Sequence, residues 1–223
     1  NGLEYPFVRR FGGIAGESFF AGTALDAATG RPLAGVRVLV ESTDGVPLAV
    51  QPEQTTAGDG RFQLAVPSGA HRVVFSREGW TSAYRVVATE AGQGLDVFDP
   101  RLTPRSVGTT LDTSGGRVNG SGREGSFLDV PAGALTAATS IAVTGLEEQA
   151  LPAPLPLGWS PRGAVWVEAN GALASATLSL AVNQPNGLSL EVVKLDAASL
   201  TWKSLGSTQV AGGAVSFPLL PGN

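Results

Sequence analysis

The chain has 223 residues, 43% of them hydrophobic and 15% charged, with a formal net charge of −4, so it has apolar matter for a packed core and too little charge for disorder. Thirteen of the 15 cations are arginine and no basic run exceeds Arg9-Arg10, which excludes the electrostatic footprint of a nucleic-acid or anionic-membrane binder. Cys 0 and His 1 exclude the usual zinc, iron–sulfur and haem ligand sets and any disulfide framework, so neither a metal nor a cofactor is expected.

Residues 1–16, NGLEYPFVRRFGGIAG, start at Asn1 in a chain without methionine, as a processed mature chain or an excised fragment would. Leu3, Tyr5 and Phe7 alternate with Glu4, Pro6 and Val8, ahead of Phe11 and a Gly12-Gly13 hinge. Such a strand has to dock, because burying each large apolar side chain is worth ~1.5–3 kcal/mol. Three readings stand: an extra edge strand on its own domain, a strand added to a neighbouring subunit's sheet, or the remnant of a leader. Pro6 lacks an N–H and confines the strand to an edge or terminal pairing.

From residue 17 onward, period-two runs replace any convincing helical pattern: SFFAGTALD, GVRVLVES, GRFQLAVP, AHRVVFSRE and AYRVVAT, then GSFLDVP, TSIAVTG, GAVWVEA, ATLSLAV, SLEVVKLD and GAVSFPL. Gly, Pro, Asn and Asp clusters separate them, which predicts an all-β fold of short strands in immunoglobulin-like sandwiches. The Thr29-Gly30-Arg31-Pro32 step reads as a corner rather than a ligand loop: Gly30 permits the twist and Pro32 fixes φ. Pro100 and Pro104 in DPRLTPRSVG mark a boundary, giving a first domain over 17–103 and a second over 104–223. Nine cations face eleven anions up to residue 103 and six face eight beyond it, so charge does not separate their roles. Asn170-Gly171 reads as a type I′ hairpin turn with positive φ at both positions.

Candidate chemistry is sparse. His71, in AHRVVFS, is expected at a solvent-facing strand position, without a nucleophile to serve. Asp59 in GDGR is one acid where a calcium loop needs several, and Asp96 with Asp99 forms a turn before it forms a calcium site. Lys194 and Lys203 are the lysines of the chain, and an exposed strand position for Lys194 outweighs an isopeptide bond. Asn119-Gly120-Ser121 has the N-glycosylation pattern in an accessible loop. Trp80, Trp159, Trp166 and Trp202 are expected in cores rather than on a sugar-stacking platform. LPAPLPLG, 151–158, bridges two strands.

Two family resemblances add to this. GTALDAATGRPLAGVRVLVES with TTAGDGRFQLAVPSGAHRVVFSREGW resembles the transthyretin-like, carboxypeptidase-regulatory β-sandwich family, through Thr29 to Gly35, Thr56 to Phe62 and Gly79-Trp80. That resemblance implies a seven-stranded sandwich used as a spacer or assembly module. GGRV at 115–118, DVPAGAL at 129–135, TSIAVTG at 139–145, SPRGAVWVEANGALASATLSLAV at 160–182 and VVKLDAASLTWKSLG at 192–206 resemble the β-sandwich domain of ankyrins and netrin receptors, which bacterial surface proteins also carry. Some of its members cut themselves at a His-Phe-Ser or Phe-Ser step; Ser216-Phe217-Pro218 reverses that order without a histidine, so no autoproteolysis is expected. The pairing of both kinds resembles the pieces ahead of the shell in teneurins and Rhs-type toxins, a plug role that needs a further partner.

These readings lead to a non-enzymatic, extracellular or cell-surface structural protein. Its expected mode of action is self-association into a fibre by strand addition, with Leu3, Tyr5, Phe7, Val8 and Phe11 as the joining residues. The rival is an adhesin, carbohydrate-binding or spacer module of a larger secreted protein.

Overall fold

The computed structural model describes residues 10–12, by their backbone, and residues 18–219. The described residues are all-β apart from one 3-10 turn, and the chain divides into two compact units: Asn1–Thr103 with Pro152–Pro154, and Pro104–Leu151 with Leu155–Asn223.

The first unit runs through β1 (Arg10–Gly12), β2 (Ser18–Thr23), β3 (Leu25–Asp26), β4 (Arg37–Thr43), β5 (Val46–Pro47), β6 (Glu53–Thr55), β7 (Arg61–Val66), β8 (Gly69–Ser76), β9 (Ala83–Thr89), β10 (Gln93–Asp96) and β11 (Arg101–Leu102). One sheet has the order β1-β10-β2-β7, the other β5-β4-β8-β9 with β6 also on β4, and β11 pairs with β3. Two of these pairings are parallel, β10 with β2 and β11 with β3. The period-two patterns set the faces: Phe62, Leu64 and Val66 are buried while Arg61, Gln63 and Ala65 are exposed. Phe20 and Phe62 meet edge-on at 6.3 Å between ring centroids, and Phe62 lies 5.2 Å from Phe75, so an aromatic triplet spans both sheets. Val36, Val38, Val40, Val73, Val87 and Leu102 close around it into one core.

The Thr29-Gly30-Arg31-Pro32 step is a corner in the structure. Gly30 has φ +67° and donates its N–H to the Asp26 carbonyl at 2.8 Å. Asp26 takes hydrogen bonds from Ala28 N and Thr29 Oγ1, and Leu33 N–H returns to the Ala24 carbonyl.

The second unit comprises β12 (Thr109–Leu111), β13 (Gly116–Asn119), β14 (Phe127–Val130), β15 (Thr139–Leu146), the 3-10 turn Glu148–Ala150, β16 (Ala164–Ala169), β17 (Ala176–Ala181), β18 (Ser189–Asp196), β19 (Thr201–Gln209) and β20 (Ala214–Leu219). Its sheets are β12-β15-β16, β13-β14-β17-β20 and the two-stranded β18-β19. Val118, Leu128, Val130, Ile141 and Val143 form its main core, and Val182, Val210 and Val215 a smaller one. The β18–β19 register shifts between Val192 and Val193. Its turn is fixed by Asp196, which accepts from Ala198 N and pairs with Lys203 Nζ at 2.6 Å, with Leu200 at φ +54°.

Asn170-Gly171 is not the expected I′ hairpin. Neither residue has positive φ, and the strands on either side belong to different sheets: β16 pairs with β15, whereas β17 pairs with β14 and β20. The Asn170 side chain instead accepts the Ser140 N–H at 2.7 Å, so the dipeptide carries the chain across from sheet to sheet. Among the described residues no helix is long and apolar enough to cross a membrane.

Candidate functional site

His71 is fully buried, which corrects the solvent-facing expectation. It shares strand parity with Val73 and Phe75, and its ring points inward with them. Nε2 lies 2.9 Å from the Pro67 carbonyl and 3.0 Å from Thr89 Oγ1, while Nδ1 lies 2.9 Å from Thr43 Oγ1. A carbonyl only accepts, so Nε2 carries the proton and the unprotonated Nδ1 accepts from the Thr43 hydroxyl. Burial pulls the pKa below the usual histidine value, against smaller opposing effects of Pro67 and Asp44. The imidazole thus ties the ends of β4 and β9 to the turn before β8 and has no nitrogen left for catalysis.

A second buried polar group is Arg85, 6% exposed at an inward position of β9. Its guanidinium donates to the Tyr84 carbonyl at 2.7 Å and reaches the Pro152 carbonyl at 3.4 Å, and Tyr84 N donates to the same Pro152 oxygen at 2.6 Å. Desolvation lowers its pKa to about 10, countered by the charge of Asp99, so it stays cationic at neutral pH. Burial first, and the neighbouring Asp96 second, push the Asp99 carboxyl up, while Arg101 and Arg85 hold it back. Asp96 and Asp99 are two acids beside two arginines, a charge-balanced cluster rather than a calcium cage, and no group of three or more His, Asp or Glu side chains able to hold a metal occurs among the described residues. Arg85 shares its parity with Ala83, Val87 and Thr89, so its inward position was legible in AYRVVAT.

On the outer face of β13 and β14, Arg117 forks onto both carboxylate oxygens of Asp129 at 2.7 and 2.8 Å and lies 3.7 Å from the Phe127 ring centroid. Asp129 is held below the usual carboxylate range by that pair. The ring face and both ends of the ion pair are engaged with one another, which makes this a cross-strand brace.

The joining residues Leu3, Tyr5, Phe7 and Val8 lie outside the described residues. The backbone of Phe11 pairs with Gly94, through antiparallel pairing of β1 with β10 of the same chain. Asn119 is exposed at the end of β13, and the Ser121 hydroxyl of the same motif contacts Ser106. Asp59 is spent on its own turn, accepting Arg61 N. Lys194 is exposed and stands opposite Lys203. The tryptophans depart from the core expectation: Trp80 packs on the first core beneath Arg77, but Trp159 is 42% exposed and Trp166 and Trp202 are half-buried on β16 and β19.

Comparison with solved structures gives distant likenesses. A 3-chlorocatechol 1,2-dioxygenase from Rhodococcus opacus is 13% identical, with a TM-score of 0.30 over 41% of this chain and 60% of its own. A protein of Bacteroides uniformis, provisionally described as carbohydrate binding, is 10% identical, with a TM-score of 0.32 over 92% of this chain and all of its own. Scores at this level bear on neither ligand nor activity. No curated protein matches the chain, and nothing found supports the ankyrin and netrin-receptor resemblance of the second half. Residues 20–103 match the carboxypeptidase regulatory-like domain, the immunoglobulin-like β-sandwich family that Thr29 to Gly35 and Gly79-Trp80 point to.

Proposed function

We propose that this chain is a non-catalytic β-sandwich module, serving binding or spacing within a larger protein at the cell surface or in the extracellular space. The match of residues 20–103 to the carboxypeptidase regulatory-like domain carries this reading. The use of the histidine agrees with it: both ring nitrogens of His71 are committed to holding strand ends together. Fibre formation by strand addition through residues 1–16 gains no support, since the described part of that segment pairs with its own chain.

The test is affinity electrophoresis of the purified chain through gels containing soluble polysaccharides, with light scattering in parallel. Retardation by one polysaccharide, from a monomer, identifies a binding module with a carbohydrate ligand. A folded monomer that no polysaccharide retards identifies a spacer. Concentration-dependent polymers would restore the fibre reading, and turnover of ester, peptide or glycoside substrates would overturn the non-catalytic one.

A further inference from the structure

Three Asn-Gly steps lie among the described residues, at 119–120, 170–171 and 186–187. At such a step the main chain can attack itself. The glycine nitrogen closes a five-membered ring on the asparagine Cγ, and glycine has no side chain to obstruct the approach. What the fold does with that nitrogen and that side-chain carbonyl decides the rate, and the three steps differ in both.

At two of them the nitrogen is engaged. Gly120 N–H donates to the Ser126 carbonyl at 2.8 Å, next to the pair Asn119 and Phe127. Gly187 N–H donates to the Val210 carbonyl at 2.9 Å. A nitrogen held in this way has to leave its acceptor before it attacks, so both steps react only from a locally opened state.

Asn170-Gly171 is arranged the other way. Both residues are exposed, and among the described residues Gly171 N–H has no acceptor. The Asn170 side chain is gripped at its oxygen: Ser140 N–H donates to Oδ1 at 2.7 Å, while Asn170 N–H donates to the Ser140 carbonyl at 3.1 Å. A backbone N–H only donates, so the side-chain atom facing it is the oxygen and not Nδ2. That N–H polarises the amide and stands where negative charge develops as Cγ becomes tetrahedral. A β-carbon at 171 would come 2.8 Å from Thr139 Oγ1, so the crossing itself favours glycine after this asparagine.

We propose that Asn170 is a self-modifying site, at which Gly171 N closes on Asn170 Cγ faster than the other two steps react. The nitrogen loses its proton as the N–Cγ bond forms, the Cγ–Nδ2 bond breaks, and ammonia leaves. Water then opens the cyclic imide at either carbonyl, giving aspartate or isoaspartate. Aspartate keeps an oxygen for Ser140 N–H. Isoaspartate routes the main chain through the former side-chain carbon, so the two hydrogen bonds to Ser140 are no longer held together. The link from β16 to β17, which carries the chain from sheet to sheet, loosens as the protein ages.

The test incubates the full native chain at physiological temperature and mildly alkaline pH, beside the same chain unfolded in guanidinium. Tandem mass spectrometry scores the conversion of amide to acid at each asparagine over time. In the folded chain Asn170 is expected to convert about tenfold faster than Asn119 and Asn186, with the three rates drawing together on unfolding. The Asn170→Asp variant should melt with the fresh chain, and the isoaspartate fraction, separated chromatographically, should melt earlier. A folded-state rate at Asn170 no higher than at either other step would overturn the proposal. So would an order of rates that persists in guanidinium, since local sequence and not the fold would then set it. An isoaspartate fraction that melts with the fresh chain would overturn the loosening.

Discussion

The two units solve the same problem by different means. The first gathers its buried side chains into one core, with Phe20, Phe62 and Phe75 touching across the sheets and small β-branched residues filling in. Among the described residues the second has no such aromatic centre and no third strand on its β18–β19 hairpin: its core is aliphatic and divided, with Val118, Leu128 and Ile141 in one part and Val182, Val210 and Val215 in another. The difference teaches that a common strand-rich composition leaves cooperativity open. A core centred on interlocking rings melts as a block, whereas a divided one can lose a part and keep the rest.

The widest gap between the units is expected on removal of a ring from the triplet. Phe62→Ala should cost about 3–5 kcal/mol, because its ring contacts both neighbours and a cavity remains between the sheets. Denaturation followed by Trp80 fluorescence, in a chain with the other three tryptophans replaced by phenylalanine, should show the first unit unfolding early. If its midpoint does not move, the triplet is not the centre of that unit. In the second unit Leu128→Ala should cost about 2–4 kcal/mol, and methyl NMR should show disturbance around Ile141 with Val182 and Val215 unmoved. Disturbance reaching those valines would unite what is described above as two cores.

A smaller effect separates the units by pH. His71 is neutral when folded and its pKa is lowered by burial, so below the ordinary histidine value of 6.5 the unfolded chain binds more protons than the folded one. Stability of the first unit is therefore full above that value and falls as the solution is acidified through it, whereas the second unit contains no histidine. Thermal unfolding from neutral to mildly acidic pH should show the first transition moving down while His71→Gln flattens its slope; parallel lines for wild type and variant would refute the linkage. Smallest of the set, Gly30→Ala should cost about 1 kcal/mol, since alanine at φ +67° is strained although nothing crowds the site. A neutral or stabilising outcome in urea titration would mean that the corner relaxes into another turn.

Alternation made the strands legible. FQLAV and YRVVAT fold as their period-two patterns predict, because one face of each is buried and a one-residue slip would invert it. The inward position of His71 was written in the same parity that placed Val73 and Phe75, and was missed by weighing its polarity above its phase. β10 could not be seen in QGLD: Gly94 has no side chain to mark a face, and the Phe19 ring leaves no room there for a β-carbon. Asn170-Gly171 misled because a turn dipeptide does not reveal whether the flanking strands share a sheet, which is settled by pairing with residues far along the chain. The candidate joining strand was visible as a pattern, but its partner was not, since register with Gln93–Leu95 is a long-range fact.

The parallel pairings of the first unit have a mechanical consequence. Its first described full strand, β2, lies parallel to β10, and β3 lies parallel to its last strand, β11. Tension drawn through the chain from Ser18 towards Thr103 would pull the members of each pair in opposite directions along their own axes. The ladders are then loaded in shear, so their hydrogen bonds must rupture together instead of peeling one after another as in a terminal hairpin. A unit wired in this way yields late under load, a useful trait for a link in a tether.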